Sequence, residues 1–178
     1  MKKGLTISKP DAARRQLETA IRLYFQNGDP VSIHTLTAAA YNVIRDINTK
    51  RGGDPMLTKD KILEYVKPEF QKMFRGKMNE AENFFKHAKR DHDATLTFNP
   101  DESEMLIVDA CSQYYKLTGE DLPLFAVFRG WYIANHQDLF VLPEEQAKLL
   151  SLSVPSVLEM GRLGYFNAIL PHVTRALG

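Results

Sequence analysis

A chain of 178 residues, 44% apolar and carrying ten phenylalanines, seven tyrosines and one tryptophan, can bury a core without a metal or disulfide staple. Its 23 basic against 22 acidic residues leave a formal charge of +1, not the basic footprint of a general nucleic-acid binder. The single cysteine, Cys111, excludes an internal disulfide and any multi-cysteine metal site, and no apolar run approaches the ~18 residues of a membrane span.

Ser8 is a capping residue, Pro10 suits a first turn and Asp11 stands at capping-box spacing, so a helix starts here. Ala13, Leu17, Ala20, Ile21 and Tyr24 then recur at helical spacing. Gly28 is read as the stop, Asp29 as the next cap and Pro30 as the first residue of a second helix. So short a connection predicts an antiparallel hairpin. Ile33, Leu36, Ala40, Ile44 and Ile47 form the apolar stripe of the second helix, expected over roughly 30–48.

Thr58 is expected to cap a short helix that ends before Pro68. From Pro68 a single longer helix is predicted, with Phe70, Met73, Phe74, Met78, Ala81, Phe85 and Ala88 on one stripe. "ATLTF" reads as an extended connector. Asn99 and Pro100 announce a fifth helix that Gly119 stops, and Cys111 within it reads as a small buried thiol. Leu124, Val127, Phe128 and Trp131 share one face of the next helix. Two further helical stretches follow, with Pro171 expected to break the last. The expectation is an all-α protein: one helical-bundle domain over 1–178, with an N-terminal hairpin and five to eight helices. The first residues lack a signal-peptide core, which points to a cytoplasmic location.

The chemistry is sparse. No histidine has a glutamate three residues before it and there is no H-E-x-x-H, so neither metal nor cofactor is expected. A nucleophile elbow, a phosphate loop and a dinucleotide fingerprint are likewise missing. The densest polar stretch is "NFFKHAKRDHDATLTFNPDESE", residues 83–104. Asn83 and His87 stand one helical turn apart, with Lys86, Lys89 and Arg90 where a helix dipole favours positive charge. Asp91 and Asp93 can pair with those cations or with Arg45. Two readings stay open: a polar clamp tying this helix to the hairpin, or a small anion pocket. The candidate ligand-binding residues are therefore His34, Arg45, Asn83 and His87. His34 reads as a hydrogen-bonded histidine at a helix seam, the alternative being that it shares a pocket with His87.

"ARRQLETAIRLYFQNGDPVSIHTLTAAAYNVIRDI" and "ENFFKHAKRDHDATLTFNPDESEMLIVDA" together resemble a group of short, uncharacterised bacterial proteins. That group is marked by a "DGDPVSIHTL"-like hairpin, here Gly28 to Leu36, and an "NFFKHA"-like helix end, here Asn83 to Ala88. The resemblance spans roughly residues 12–120 and implies no activity. The group commonly has Asp at the position of Lys89 and Pro at that of His92, which makes His87 a better functional candidate than His92.

"RGWYIANH" also fits the Arg, four to six residues, then His pattern of the HEPN ribonucleases, through Arg129 and His136. Close to one such pairing is expected by chance in a chain with this many arginines and histidines. Gly130 follows the arginine, where that family usually has a polar residue. The likeness of the helical hairpin to that architecture is an analogy of fold, which does not fix function. The functional expectation is a non-enzymatic helical module that binds a partner protein or small ligand. It is expected to form a homodimer through an apolar patch on residues 123–170. The alternative is a HEPN-like ribonuclease or nucleotide-binding protein using Arg129 and His136, with His87 as a further candidate, and only that alternative has nucleic acid as a partner.

Overall fold

The hairpin forms as its capping residues dictate. Ser8 Oγ accepts the Asp11 N–H at 3.2 Å and starts α1, Lys9–Phe25; Asp29 accepts the Ser32 N–H at 2.7 Å and starts α2, Pro30–Lys50. Between them the left-handed residue is Asn27, φ 53, rather than the glycine. Gly28 serves a different need: its N–H donates to the Leu23 carbonyl at 2.8 Å, and a Cβ there would stand 3.0 Å from that oxygen.

The computed structural model describes residues 4–178 apart from Arg90 and Leu142, and leaves undescribed the side chains of residues 146–147 and 149–153. Every regular element among the described residues is helical. After α2 come a π-helical turn, Leu57–Lys61, and the short α3, Ile62–Glu64. Then follow α4 Pro68–Met78, α5 Glu80–Lys86, α6 Glu102–Thr118, α7 Pro123–Asn135, a 3₁₀ turn Gln137–Leu139 and α8 Glu144–Leu177. None of these helices is long and apolar enough to cross a membrane.

The core lies between the hairpin, α6, α7 and the later part of α8. Phe25 is its hub, stacked on Phe166 at 4.8 Å between ring centres and set edge-on to Trp131 at 5.9 Å. Phe128, Ile44 and Cys111 are fully buried around it, and burial pushes the Cys111 thiol up, so that it is an inert core residue at neutral pH.

Three sequence expectations are corrected. Thr58 does not cap a helix: Met56 holds that position, and the Thr58 N–H donates to Asp109 on α6 at 2.8 Å. The long helix from Pro68 is two helices, broken at Asn79, φ −105 and ψ 4. The Asn79 side chain donates to the Arg75 carbonyl at 2.9 Å and accepts from Lys59 Nζ at 2.8 Å, so side-chain bonding competes with the helical backbone. The α4 part of its predicted stripe is not core either, since α4 buries no residue and Phe70 and Met73 are exposed, whereas Ala81 on α5 is buried as expected. Finally, α8 runs through Pro171 and is interrupted at Gly161, φ 63 and ψ 177, a conformation that only glycine adopts readily. In the segment expected to present an apolar patch, Leu139, Val141, Leu158 and Met160 are exposed.

Candidate functional site

Residues 57–86 pack over α2 and the start of α6, and the join is polar. Lys59, 4% exposed, lies in the π-helical turn. Its ammonium reaches Glu82 on α5 at 2.7 Å, Asn79 at 2.8 Å and Asn42 on α2 at 3.4 Å. All three of its protons thus have acceptors. Glu82 also accepts from Lys86 at 2.7 Å and from Asn42. Burial alone would raise the Glu82 carboxyl, but hydrogen bonds from the two lysines outweigh it and hold the group below the ordinary carboxylate range. Arg45 makes a forked contact to Asp60 in the same turn, and Tyr41 takes up the Lys59 N–H at 3.2 Å.

A cavity of about 480 Å³ lies beside this join. His34 and Leu106 line it from α2 and α6, Thr58 and Met78 from the packed arm, and Tyr132 and His136 from the end of α7. His34 is 2% exposed, its Nδ1 3.1 Å from Ser103 Oγ on α6 and its ring edge-on to Phe98 at 4.9 Å and Phe85 at 5.7 Å. Burial, with the nearby Lys59 charge second, pushes His34 down to about 4, so the imidazole is neutral at pH 7. A neutral imidazole has one donor and one acceptor nitrogen, and the Ser103 hydroxyl serves either tautomer. Nε2 is buried without a protein partner, and so is Thr58 Oγ1. Most of the wall's surface is apolar, from Met78, Met105, Leu106 and Leu139, although Lys77, Asn99, Asp101 and Glu102 line it too. Such a cavity suits an apolar molecule with one or two hydrogen-bonding atoms.

Catalytic geometry is weaker. Ser103 and His34 are in contact, but Ser103 does not line the cavity and no carboxylate orients His34. The cavity histidine with a carboxylate partner is His136, whose Nε2 lies 3.1 Å from Glu104. Glu104 is held in turn by the Tyr24 hydroxyl at 2.7 Å and by Arg162 at 3.3 Å, just after the Gly161 break. Among the described residues, no group of three or more His, Cys, Asp or Glu side chains is placed to hold a metal ion.

The structure separates the expected site residues. His34 is the seam histidine expected, but its cavity partner is His136. Asn83 and His87 line a different groove, with Lys89 and Asp91. His87 ends α5 with extended backbone, φ −135 and ψ 130, and its side chain is exposed. It makes no clamp. Asp93 pairs with His92 at 3.0 Å on the surface, Arg45 pairs with Asp60, and Arg90 lies outside the described residues. Arg129 bonds Asp121 at 2.7 Å and lines a third groove, apart from His136. Sequence reading missed Lys59, Glu82 and Thr58. The signal for the first two was the presence of polar residues inside apolar helical stretches, which alone does not say which pairs meet. No family model, curated protein or solved structure matches this chain.

Proposed function

We propose that this protein is a non-enzymatic helical module that binds a small, uncharged, largely apolar ligand in the His34–Thr58 cavity. The observation that carries the reading is the pair of buried, unpartnered polar atoms, His34 Nε2 and Thr58 Oγ1, on the wall of one mainly apolar cavity. Buried polar atoms are nearly always hydrogen-bonded, and leaving one unpaired costs about 1–3 kcal/mol. Both atoms are closed off from solvent in this structure, so a ligand carbonyl, amide or hydroxyl would reach them as the arm shifts against α2. Lys59 stands in the same wall, but its ammonium is already surrounded by acceptors, so it adds no free charge to recruit an anion there. Arg129 and His136 line separate spaces and each holds a carboxylate, so no observation favours the HEPN-like alternative.

The test is nuclear magnetic resonance on the full chain with phenol, indole and acetanilide as uncharged probes. Shifts should move at the His34 ring, the Thr58 methyl and the Met78 and Met105 methyls. Thr58→Val, which keeps the shape and removes the hydroxyl, should weaken that response. Probes that leave these signals unmoved, or that bind Thr58→Val as well as the parent, would overturn the reading.

A further inference from the structure

The groove that Arg129 lines, of about 530 Å³, lies on the other side of a wall made by Met105, Tyr132 and Leu139, which line both it and the His34 cavity. Its floor is one face of α6, where Met105, Val108, Ser112 and Lys116 recur at helical spacing, and one face of α7, where Arg129, Tyr132 and Ile133 do the same. Its charge is unlike that of the whole chain, which is nearly neutral. Lys61, Lys116 and Arg129 line it, and among the described residues the one acid there is Asp109. That carboxylate is already engaged: its Oδ2 accepts from the Tyr41 hydroxyl at 2.9 Å and from the Thr58 N–H at 2.8 Å.

The cations are less well matched. Among the described residues no carboxylate pairs with Lys61 or Lys116. Arg129 gives Nη2 to Asp121, while its Nη1 is buried with no partner. Nη1 itself is closed off from the groove, so what Arg129 offers there is the rest of its quarter-exposed side chain, and an anionic oxygen is the strongest acceptor for a guanidinium N–H. Apolar surface adjoins the charge: Leu57, Met105 and Phe140 line the groove and are exposed.

We propose that this groove binds a small organic acid, its anionic group held by Arg129 and Lys116 and its apolar body laid on Met105, Ile133 and Phe140. The inference stands on the groove's own residues and does not depend on what occupies the His34 cavity.

Two probes of one shape separate charge from hydrophobicity: 2-naphthoate and its uncharged amide, titrated calorimetrically into the full chain at pH 7. Naphthoate should bind at least about tenfold more tightly than the amide, the worth of one charge-assisted hydrogen bond. Its affinity should fall as salt is raised. Arg129→Gln should remove most of that preference. Because Arg129 also holds Asp121, the double variant Lys61→Gln/Lys116→Gln gives a second reading without touching an ion pair, and it too should narrow the gap. Methyl shifts at Met105 and Ile133, with the His34 ring unmoved, would place naphthoate in this groove. Absence of naphthoate binding, equal binding of the two probes, or a preference unchanged in both variants would overturn the inference.

Discussion

The half of the molecule built from α1, α2, α6 and α7 and the arm of residues 57–86 are held by different forces. In the first, Phe25, Ile44, Phe128 and their neighbours are sealed from water in one apolar cluster. The arm, by contrast, buries little apolar surface beyond Leu63 and Ala81 and gives α4 no buried residue. It is braced within itself by Lys59–Glu82, and is tied to α2 and α6 by Asn42–Glu82, Arg45–Asp60 and the Thr58–Asp109 bond. Apolar packing tolerates many partners and depends on volume, whereas a buried ion pair fails if either charge is lost. The His34 cavity lies on the boundary, with wall residues from both sides. A ligand-binding space is expected there, where a well-packed scaffold meets a more weakly attached arm.

That contrast can be broken experimentally, most strongly in the core. Phe128→Ala should cost about 3–5 kcal/mol, read from denaturant melts, and should destabilise the whole molecule. A loss confined to one segment would mean that the core is not the single unit described.

Glu82→Ala leaves the Lys59 ammonium buried without its carboxylate, at a cost of about 3 kcal/mol. The damage should be local. Amide hydrogen exchange should accelerate over residues 57–86 while α1 and α6 keep their protection. Replacing both partners, Lys59→Met with Glu82→Leu, should recover most of the loss, because no charge is then left stranded. Uniform acceleration across the chain would erase the distinction between the two regions.

The pH dependence of stability sharpens the same boundary. His34 titrates near 4 in the folded chain against an ordinary 6.5, so below about 6.5 the unfolded chain takes up a proton that the native one refuses. Stability should therefore fall as pH drops from about 6.5 to about 4. Glu82, held below its ordinary 4.5, adds a further loss at the acid end as its carboxylate is finally protonated. Urea midpoints at a series of pH values should show both, and His34→Phe should flatten only the upper part.

The smallest effect belongs to the histidine that the sequence made most prominent. His87→Ala should change stability by no more than about 0.5 kcal/mol, since the side chain is exposed at the end of α5. A midpoint shift worth 1 kcal/mol or more, roughly, would restore the clamp expected from the motif.

The sequence alone determined the helical class and the turning points of the hairpin. Ser8, Asp29, Pro30 and Gly119 act on backbone within a few residues, and apolar spacing of three and four needs no knowledge of distant partners. It misjudged Asn79 and Gly161. At Asn79 the helix is broken by a side chain that also binds a lysine 20 residues away, and at Gly161 by a conformation that no spacing announces. The site was the least legible part. His34 was visible as a seam histidine, but that its cavity is completed by Thr58 and His136, and that Lys59 meets Glu82, was decided only when α2, α6, α7 and the arm came together. Charge and hydrogen-bond partners are chosen by proximity in space, and local periodicity carries no information about which distant side chains that proximity will select.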